Sequence, residues 1–229
     1  GQFYGWVYEG IARTQSDLDN HATQQGANVG DCLYKDVSGA DGKPDGKIDG
    51  YDQVVLGSGL PKVNFGLSAR LEYKNFDLTI STYGSLNYHV SDDIYNSLNS
   101  CYGWGNKDVS ILNANQYSAD GQTYISSVPR TYVTNNASLA WNDLFSSRKI
   151  QNAAYWKIAN IELGYNLPNK WFKGIISGAR AYISAQNVYT FTGYHGYNVD
   201  YAGGTFTPGN NFCSFPTPHT YMCGVQFTF

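Results

Sequence analysis

The chain has 229 residues and a formal net charge of −3, from 15 basic and 18 acidic side chains. Only 14% of residues are charged, 16% are aromatic and 25 are glycine. This excludes a disordered chain, which has few aromatics and much charge, argues against a nucleic-acid binder, and suits all-β proteins and membrane barrels. The chain starts at Gly1, with no initiator Met, basic region or apolar leader, so it reads as a mature product or a piece of a longer protein. The segment Phe3 to Arg13 reads as one further strand. Residues 15–62 follow as a polar, Asp- and Gly-rich loop. From Val63 to Tyr73 every odd position is apolar or aromatic (Val63, Phe65, Leu67, Ala69, Leu71, Tyr73). This period of two predicts a strand with one greasy face. Lys74-Asn75 is a short turn, and Phe76, Leu78 and Ile80 begin the returning strand of a long hairpin. Residues 91–152 form a long segment rich in Asn, Ser, Gly and Tyr, with short β-prone pieces at 123–126 and 131–134. Between Ala154 and Asn166 the apolar phase switches from Trp156 and Ile158 to Ile161, Leu163 and Tyr165, which predicts a bulge near Asn160. Ala179 to Phe191 is another alternating strand. Residues 193–218 form a Gly- and Asn-rich loop, and the chain ends on Tyr221, Cys223, Val225, Phe227 and Phe229 along one face.

Short turns alternate with long loops, and the strands run to ten residues or more. Both features favour an outer-membrane barrel, whose spans take about 9–11 tilted residues, over a soluble sandwich with strands of about 5–6. Five strands do not close a barrel, which needs at least about 8, and an open sheet edge is not viable in lipid. The pattern therefore reads as all-β, the C-terminal strands of a larger antiparallel barrel.

The sharpest local motif runs from Asp41 to Asp52. Acidic residues fall at positions 1, 5, 9 and 12 (Asp41, Asp45, Asp49, Asp52), with Gly46 at position 6 and the Lys47 carbonyl at position 7. That spacing is near an EF-hand calcium loop, although Lys43 at position 3 cannot ligate and Asp52 is shorter than the usual Glu. The competing reading is an Asp/Gly turn held by its own side chains. No cofactor is required, and a structural calcium would serve only to pin the loop. Tyr102, Trp104, Tyr194, Tyr197 and Tyr201 are loop aromatics whose ring faces could stack on a sugar or pack on a peptide. Tyr73, Tyr88, Tyr165 and Tyr189, near strand ends, read as interfacial girdle residues. Arg70, Glu72, Arg180 and Gln186 lie on the polar side of their strands, which is the lumen in a barrel. Cys32, Cys101 and Cys213 fall in loops, where one disulfide or free thiols are both open, whereas Cys223 lies on the apolar face of the last strand. The histidines His21, His89, His195 and His219 are scattered, no nucleophile motif stands out, and the chain does not read as an enzyme.

Four stretches carry a resemblance. They are Tyr34 to Val37 with Asp41 to Asp49 and Val54 to Gly57; Tyr73-Lys74-Asn75-Phe76-Asp77-Leu78; Trp156 to Pro168; and Ser184 to Tyr194 with Gly196-Tyr197. In order and spacing they resemble the C-terminal region of the SusC/RagA family of TonB-dependent outer-membrane transporters. The resemblance implies a 22-stranded barrel with a plug in the outer membrane of a Gram-negative cell, importing oligosaccharides or peptides. It implies a SusD-like lipoprotein as lid, and energy from the TonB complex through parts that match nothing in this sequence. It places the C-terminus and short turns in the periplasm and the loops 15–62, 91–152 and 193–218 outside. It makes Val225, Phe227 and Phe229 a barrel-assembly signal. Asp200 occupies the acidic position after Gly196-Tyr197, but the Pro expected beside it is absent. Two other readings are a soluble β-sandwich adhesin binding glycan or calcium, and a small passive barrel.

Overall fold

The computed structural model describes residues 1–102, 105–132, 141–172, 176–200 and 204–229. Its strands are β1 (Gln2–Gly5), β2 (Tyr8–Ile11), β3 (Cys32–Tyr34), β4 (Val54–Ser58), β5 (Val63–Tyr73), β6 (Phe76–Leu86), β7 (His89–Asp92), β8 (Ile150–Asn152), β9 (Tyr155–Leu167), β10 (Gly178–Thr192), β11 (Asn210–Asn211) and β12 (Thr220–Thr228). Two short α-helices, α1 (Gln15–Asp19) and α2 (Asp93–Leu98), complete the main elements. The chain divides into two compact units: residues 1–60, 89–151 and 202–213, and residues 61–88, 152–201 and 214–229.

The second unit is an antiparallel five-stranded sheet in the order β12-β10-β9-β6-β5. The alternation seen in the sequence becomes rows of side chains that cross all five strands. One row is Tyr73, Phe76, Tyr165, Ala181 and Val225; the next is Leu71, Leu78, Leu163, Ile183 and Cys223; the third is Ala69, Ile80, Ile161, Ala185 and Tyr221. On the opposite face run Ser68, Ser81, Asn160, Gln186 and Thr220, and then Glu72, Asp77, Gly164, Tyr182 and Gly224. The apolar face is left bare: Leu67 is 65% exposed and Leu71 63%. A sandwich would cover that face with a second sheet, so the sandwich expectation is corrected. The sheet is also open, with β5 and β12 at its edges, which corrects the small-barrel alternative.

The expected bulge is present. Opposite Ser81-Thr82 the partners jump from Asn160 to Ile158, so Ala159 is the extra residue. The shift brings Trp156 to the face of Leu163, and its ring stacks on Phe191 at 5.4 Å. The β5–β6 turn is tight, with Lys74 at φ 55°; two-residue hairpins favour such φ values. Of the girdle residues, Tyr73 and Tyr189 are exposed on the sheet and Tyr165 packs on Phe76. Tyr88 is different: it is buried, and its hydroxyl donates to the Val199 carbonyl. It fastens a loop to the sheet end, so the girdle reading fails for it.

The first unit replaces what the sequence suggested were long loops. The single strand expected at Phe3 to Arg13 is two short ones: β1 pairs with β4, and β2 with β3. Thr14 and Asp17 form a reciprocal capping box at α1. Asp92 caps α2 by accepting from Tyr95 N–H at 3.0 Å. A small core gathers Cys32, Tyr34 and Ile48 with Trp6, Tyr8, Trp141 and Leu144 packed against it. Cys32 is therefore on a buried strand, not in a loop, and all four cysteines are free thiols, Cys101 buried and Cys213 and Cys223 exposed. Of the β-prone pieces, 123–126 makes an isolated bridge, Tyr117 with Tyr124, and the described part of 131–134 makes another, Tyr102 with Tyr132; residues 133–134 lie outside the described residues.

Candidate functional site

The polar face of the sheet carries two charged clusters, each made by residues far apart in sequence. Near the β5–β6 turn, the Arg180 guanidinium on β10 reaches back across Gly164. Its Nε donates to Asp77 Oδ1 at 3.1 Å, and Nη2 donates to Asp77 Oδ2 and, at 2.7 Å, to Glu162 Oε1. Asn166 Nδ2 adds a bond to Asp77 at 3.3 Å. Gly164 is needed here, since a Cβ would lie 2.4 Å from Arg180 Nη2 and 2.6 Å from Asp77 Oδ1. Arg70 and Glu72 pair at 2.8 Å on the same face but stay exposed. Surface pairs of that kind contribute little.

At the other end of the sheet, Lys157 on β9 is only 3% exposed. Its Nζ is paired with Asp200 Oδ2, which also accepts from the Tyr83 hydroxyl at 3.0 Å. The Asp200 N–H donates to Asn198 Oδ1 at 3.0 Å, so the acid is held from both sides. Above the pair lies a cleft of about 310 Å³ lined by Thr190, Thr192, Tyr197, Asn198, Thr217 and His219. Of the aromatic candidates, Tyr197 faces this cleft and is 67% exposed. Tyr194 is only 6% exposed, which corrects its reading as a free stacking ring. Tyr201 and Trp104 lie outside the described residues.

Tyr102 belongs to the first unit. Its ring lies 5.4 Å from Tyr132, beside a polar cleft that also includes Asp93, Asn96, Ser100 and Lys149. Asp143 is the hub. It accepts from Ser100 Oγ, Cys101 N–H, Tyr102 N–H and Tyr132 Oη, at 3.0, 3.1, 2.9 and 2.9 Å. Burial, and next the Asp143 charge, push the Tyr132 phenol well above its ordinary range. Burial lowers the Lys149 amine, an effect Asp143 opposes. Asp31 plays the same part nearby, accepting from Arg130 Nε and Nη2 at 3.0 and 2.9 Å and from Asn142 Nδ2 at 2.8 Å.

In the Asp-rich loop the side chains turn to the backbone. Asp52 is fully buried, accepting from Val37 and Ser38 N–H through Oδ1 at 2.8 and 3.1 Å and from Asp49 N–H through Oδ2 at 2.8 Å. Asp41 accepts from Lys43 N–H, Asp45 from Lys47 N–H, and Asp49 from Tyr51 N–H. Gly46, at φ 79°, donates to Asp36 at 2.7 Å. Among the described residues no group of three or more His, Cys, Asp or Glu is placed to hold a metal. As placed, these carboxylates hold the loop as a self-bonded Asp/Gly turn. Val225, Phe227 and Phe229 are exposed, the first two on the apolar face of β12.

Comparison with known proteins adds the lineage of this arrangement. No family model matches the sequence. TonB-dependent receptor P3 of Formosa agariphila is 28% identical over 238 aligned positions, covering 100% of this chain. TonB-dependent receptor SusC of Bacteroides thetaiotaomicron is 25% identical over 211 positions and 86% of this chain. The chain resembles the TonB-dependent receptors of the SusC and RagA kind. A solved structure of the RagAB peptide transporter aligns over 100% of the chain with a TM-score of 0.74, at 24% identity. The RagAB peptide importer in its open-open state aligns over 99% with a TM-score of 0.70. The fold is thus shared with a stretch of those transporter chains and its associated loops. The chain spans about a fifth of its relatives' length, 22% of the P3 receptor and 19% of SusC.

Sequence reasoning missed Lys157 and Tyr83 as a pair of anchors. The available signal was Lys157 itself, a charge on the polar side of a strand flanked by Trp156 and Ile158. Nothing in the sequence linked it to Asp200, 43 positions on.

Proposed function

We propose that this chain is part of a TonB-dependent importer of the Gram-negative outer membrane, moving oligosaccharides or peptides inward. The five-stranded sheet supplies wall. The polar face lines the interior, and the apolar face meets lipid. The C-terminus and the tight turn face the periplasm, and the segments 15–62, 91–152 and 193–218 face outward. A SusD-like surface lipoprotein acts as lid, and coupling to TonB runs through segments outside this sequence. Val225, Phe227 and Phe229 serve as the assembly signal.

The observation that carries this reading is the inverted sheet: rows of exposed apolar side chains on one face, buried charge on the other, and open edges. Together with similarity to TonB-dependent receptors along the whole chain, it favours membrane wall over any soluble role. The test is fractionation and uptake. The tagged receptor should appear only in detergent-extracted outer membranes and co-purify with a lipoprotein. Deleting its gene should abolish uptake of one class of labelled oligomer. Recovery of the chain in a soluble fraction without detergent would refute the reading.

A further inference from the structure

The register puts the segment 194–200 on one face of the sheet. Tyr83, Lys157 and Thr190 stand in one row across β6, β9 and β10, and Ser85, Tyr155 and Thr192 stand in the next. Both rows belong to the polar face. Tyr83 and Ser85 keep the phase of Asp77 along β6, and the bulge at Ala159 carries Lys157 and Tyr155 to the same side. At this level the apolar face holds the stacked rings of Trp156 and Phe191. Asp200 comes down on the first row, where it takes the Lys157 ammonium and the Tyr83 hydroxyl. The Val199 carbonyl accepts from the Tyr88 hydroxyl. The chain after β10 therefore turns back over the polar face instead of continuing away from it.

Burial follows the same boundary. Ser85, Tyr155 and Lys157 are buried, and so are Tyr194 and Val199 of the segment itself. Nearer the β5–β6 turn, Arg70 and Glu72 on the same face stay exposed. A surface loop leaves its carbonyls and charges to water. This one gives a carbonyl to a buried phenol and a carboxylate to a buried lysine, a residue almost never buried without a partner. Lifting the segment off would strand both groups, so it is fastened down rather than hinged.

We propose that the segment 194–200 is a fixed constriction on the inner wall, limiting the size of what passes along this side of the lumen. The proposal rests on the importer reading, which makes the polar face the lumen. A layer packed on a sheet stands about 10 Å from it, so the segment narrows the passage by that much at the level of Trp156 and Phe191. Lys157, Tyr83 and Tyr88 are positioning residues, since they act by holding Asp200 and Val199. Tyr197, the exposed ring of the segment, faces the passage.

The experiment asks how large a reagent reaches the segment in the intact receptor on whole cells. Tyr197→Cys is made in a Cys213→Ser background, which removes the exposed loop thiol. A small charged maleimide should label the new thiol, and a maleimide on a long polyethylene glycol should not. Both should label the receptor once it is unfolded in hot dodecyl sulfate. Adding Asp200→Asn should raise the rate of the long reagent at least about 100-fold, because loss of a buried partner frees the segment. Tyr88→Phe should raise it less, and carries the same comparison if Asp200→Asn fails to assemble. Uptake of the oligomer class found by gene deletion should extend to longer members in the freed variant. Equal labelling of the parent by both reagents, or by neither, would overturn the constriction and leave the importer standing. So would an unchanged length limit in a variant whose segment has become reachable. A gene deletion that changes no uptake would overturn the importer reading instead.

Discussion

Exchanging either member of the Lys157–Asp200 pair should loosen the segment 194–200, but by unequal amounts. The Lys157 side chain is 4% exposed and the Asp200 side chain 20%. Asp200→Asn strands an ammonium that has almost no water. Breaking a buried pair in that sense costs about 3–5 kcal/mol. Lys157→Met strands a carboxylate that keeps the Tyr83 hydroxyl at 3.0 Å and some solvent. Its cost should be smaller, about 1–2 kcal/mol after allowing for that screening. The double variant leaves no uncompensated charge and should resemble Lys157→Met alone. The coupling between the two changes therefore equals the whole Asp200→Asn cost, about 3–5 kcal/mol, or roughly 150- to 5,000-fold in a local opening constant. Hydrogen–deuterium exchange of the peptide covering 194–200, in the intact receptor, reads that constant without requiring the whole barrel to unfold. Additive effects, or faster exchange in Lys157→Met than in Asp200→Asn, would refute the buried-pair argument.

Gly164→Ala should break the Arg180 cluster, because the new Cβ would sit well inside contact distance of the guanidinium and of Asp77. Overpacking of this size costs about 1–3 kcal/mol, and the heat-modifiable gel mobility of the intact receptor should convert at a lower temperature; unchanged conversion counts against the packing. Burial, only partly offset by Arg148, pushes the Cys32 thiol up to about 12 and the Cys101 thiol up to about 11 from an ordinary 9.0. An aromatic disulfide reagent at pH 8 should therefore label the exposed loop thiol Cys213 in the detergent-solubilised receptor, and spare Cys32 and Cys101, with Cys223 shielded on the apolar face, until denaturant is added. Because the unfolded thiols ionise first, stability is intact below pH 9 and declines as pH rises from 9 towards 11–12; a first unit equally stable to proteolysis across that window contradicts this linkage. Calcium or a chelator should shift the thermal resistance of the Asp-rich loop to proteolysis by less than a degree or two. A stabilisation of several degrees by calcium would restore the metal-loop reading.

The sheet was legible in the sequence because its signal is local. The bounds Val63 and Tyr73 follow directly from the alternation, and the phase switch between Ile158 and Ile161 marks the bulge that the register shift at Ala159 records. The first unit was not legible, for a physical reason. Its strands run two to five residues, too short to establish a period, and its order comes from long-range side-chain bonds. Arg130 reaches Asp31 over 99 positions, and Asn142 accepts from the Cys32 amide over 110. Aromatics near strand ends were ambiguous in the same way: Tyr73 and Tyr88 look alike in sequence, and only the Val199 carbonyl that receives the Tyr88 hydroxyl separates them. The Asp spacing from 41 to 52 suits a cation or a self-bonded turn equally. The choice depends on where the backbone amides point, which no spacing encodes.

The distribution of exposure supports lipid as the solvent for one face of the sheet. Leu67, Leu71, Ile183 and Val225 are each more than half exposed, and Val63, Phe65 and Leu163 more than a third. At about 1.5–3 kcal/mol for full burial of such a side chain, leaving this set in water forfeits on the order of 10 kcal/mol. That is comparable to the whole stability of an ordinary domain, about 5–15 kcal/mol. Lipid removes the deficit but raises a second one, since unpaired N–H and C=O groups along β5 and β12 would then face hydrocarbon at several kcal/mol each. Only further strands on both edges relieve both at once. On the polar face the carriers with least water keep opposite charges beside them: Lys157, 4% exposed, pairs with Asp200, and Asp77, 5% exposed, pairs with Arg180, because a charge removed from water is costly without a partner.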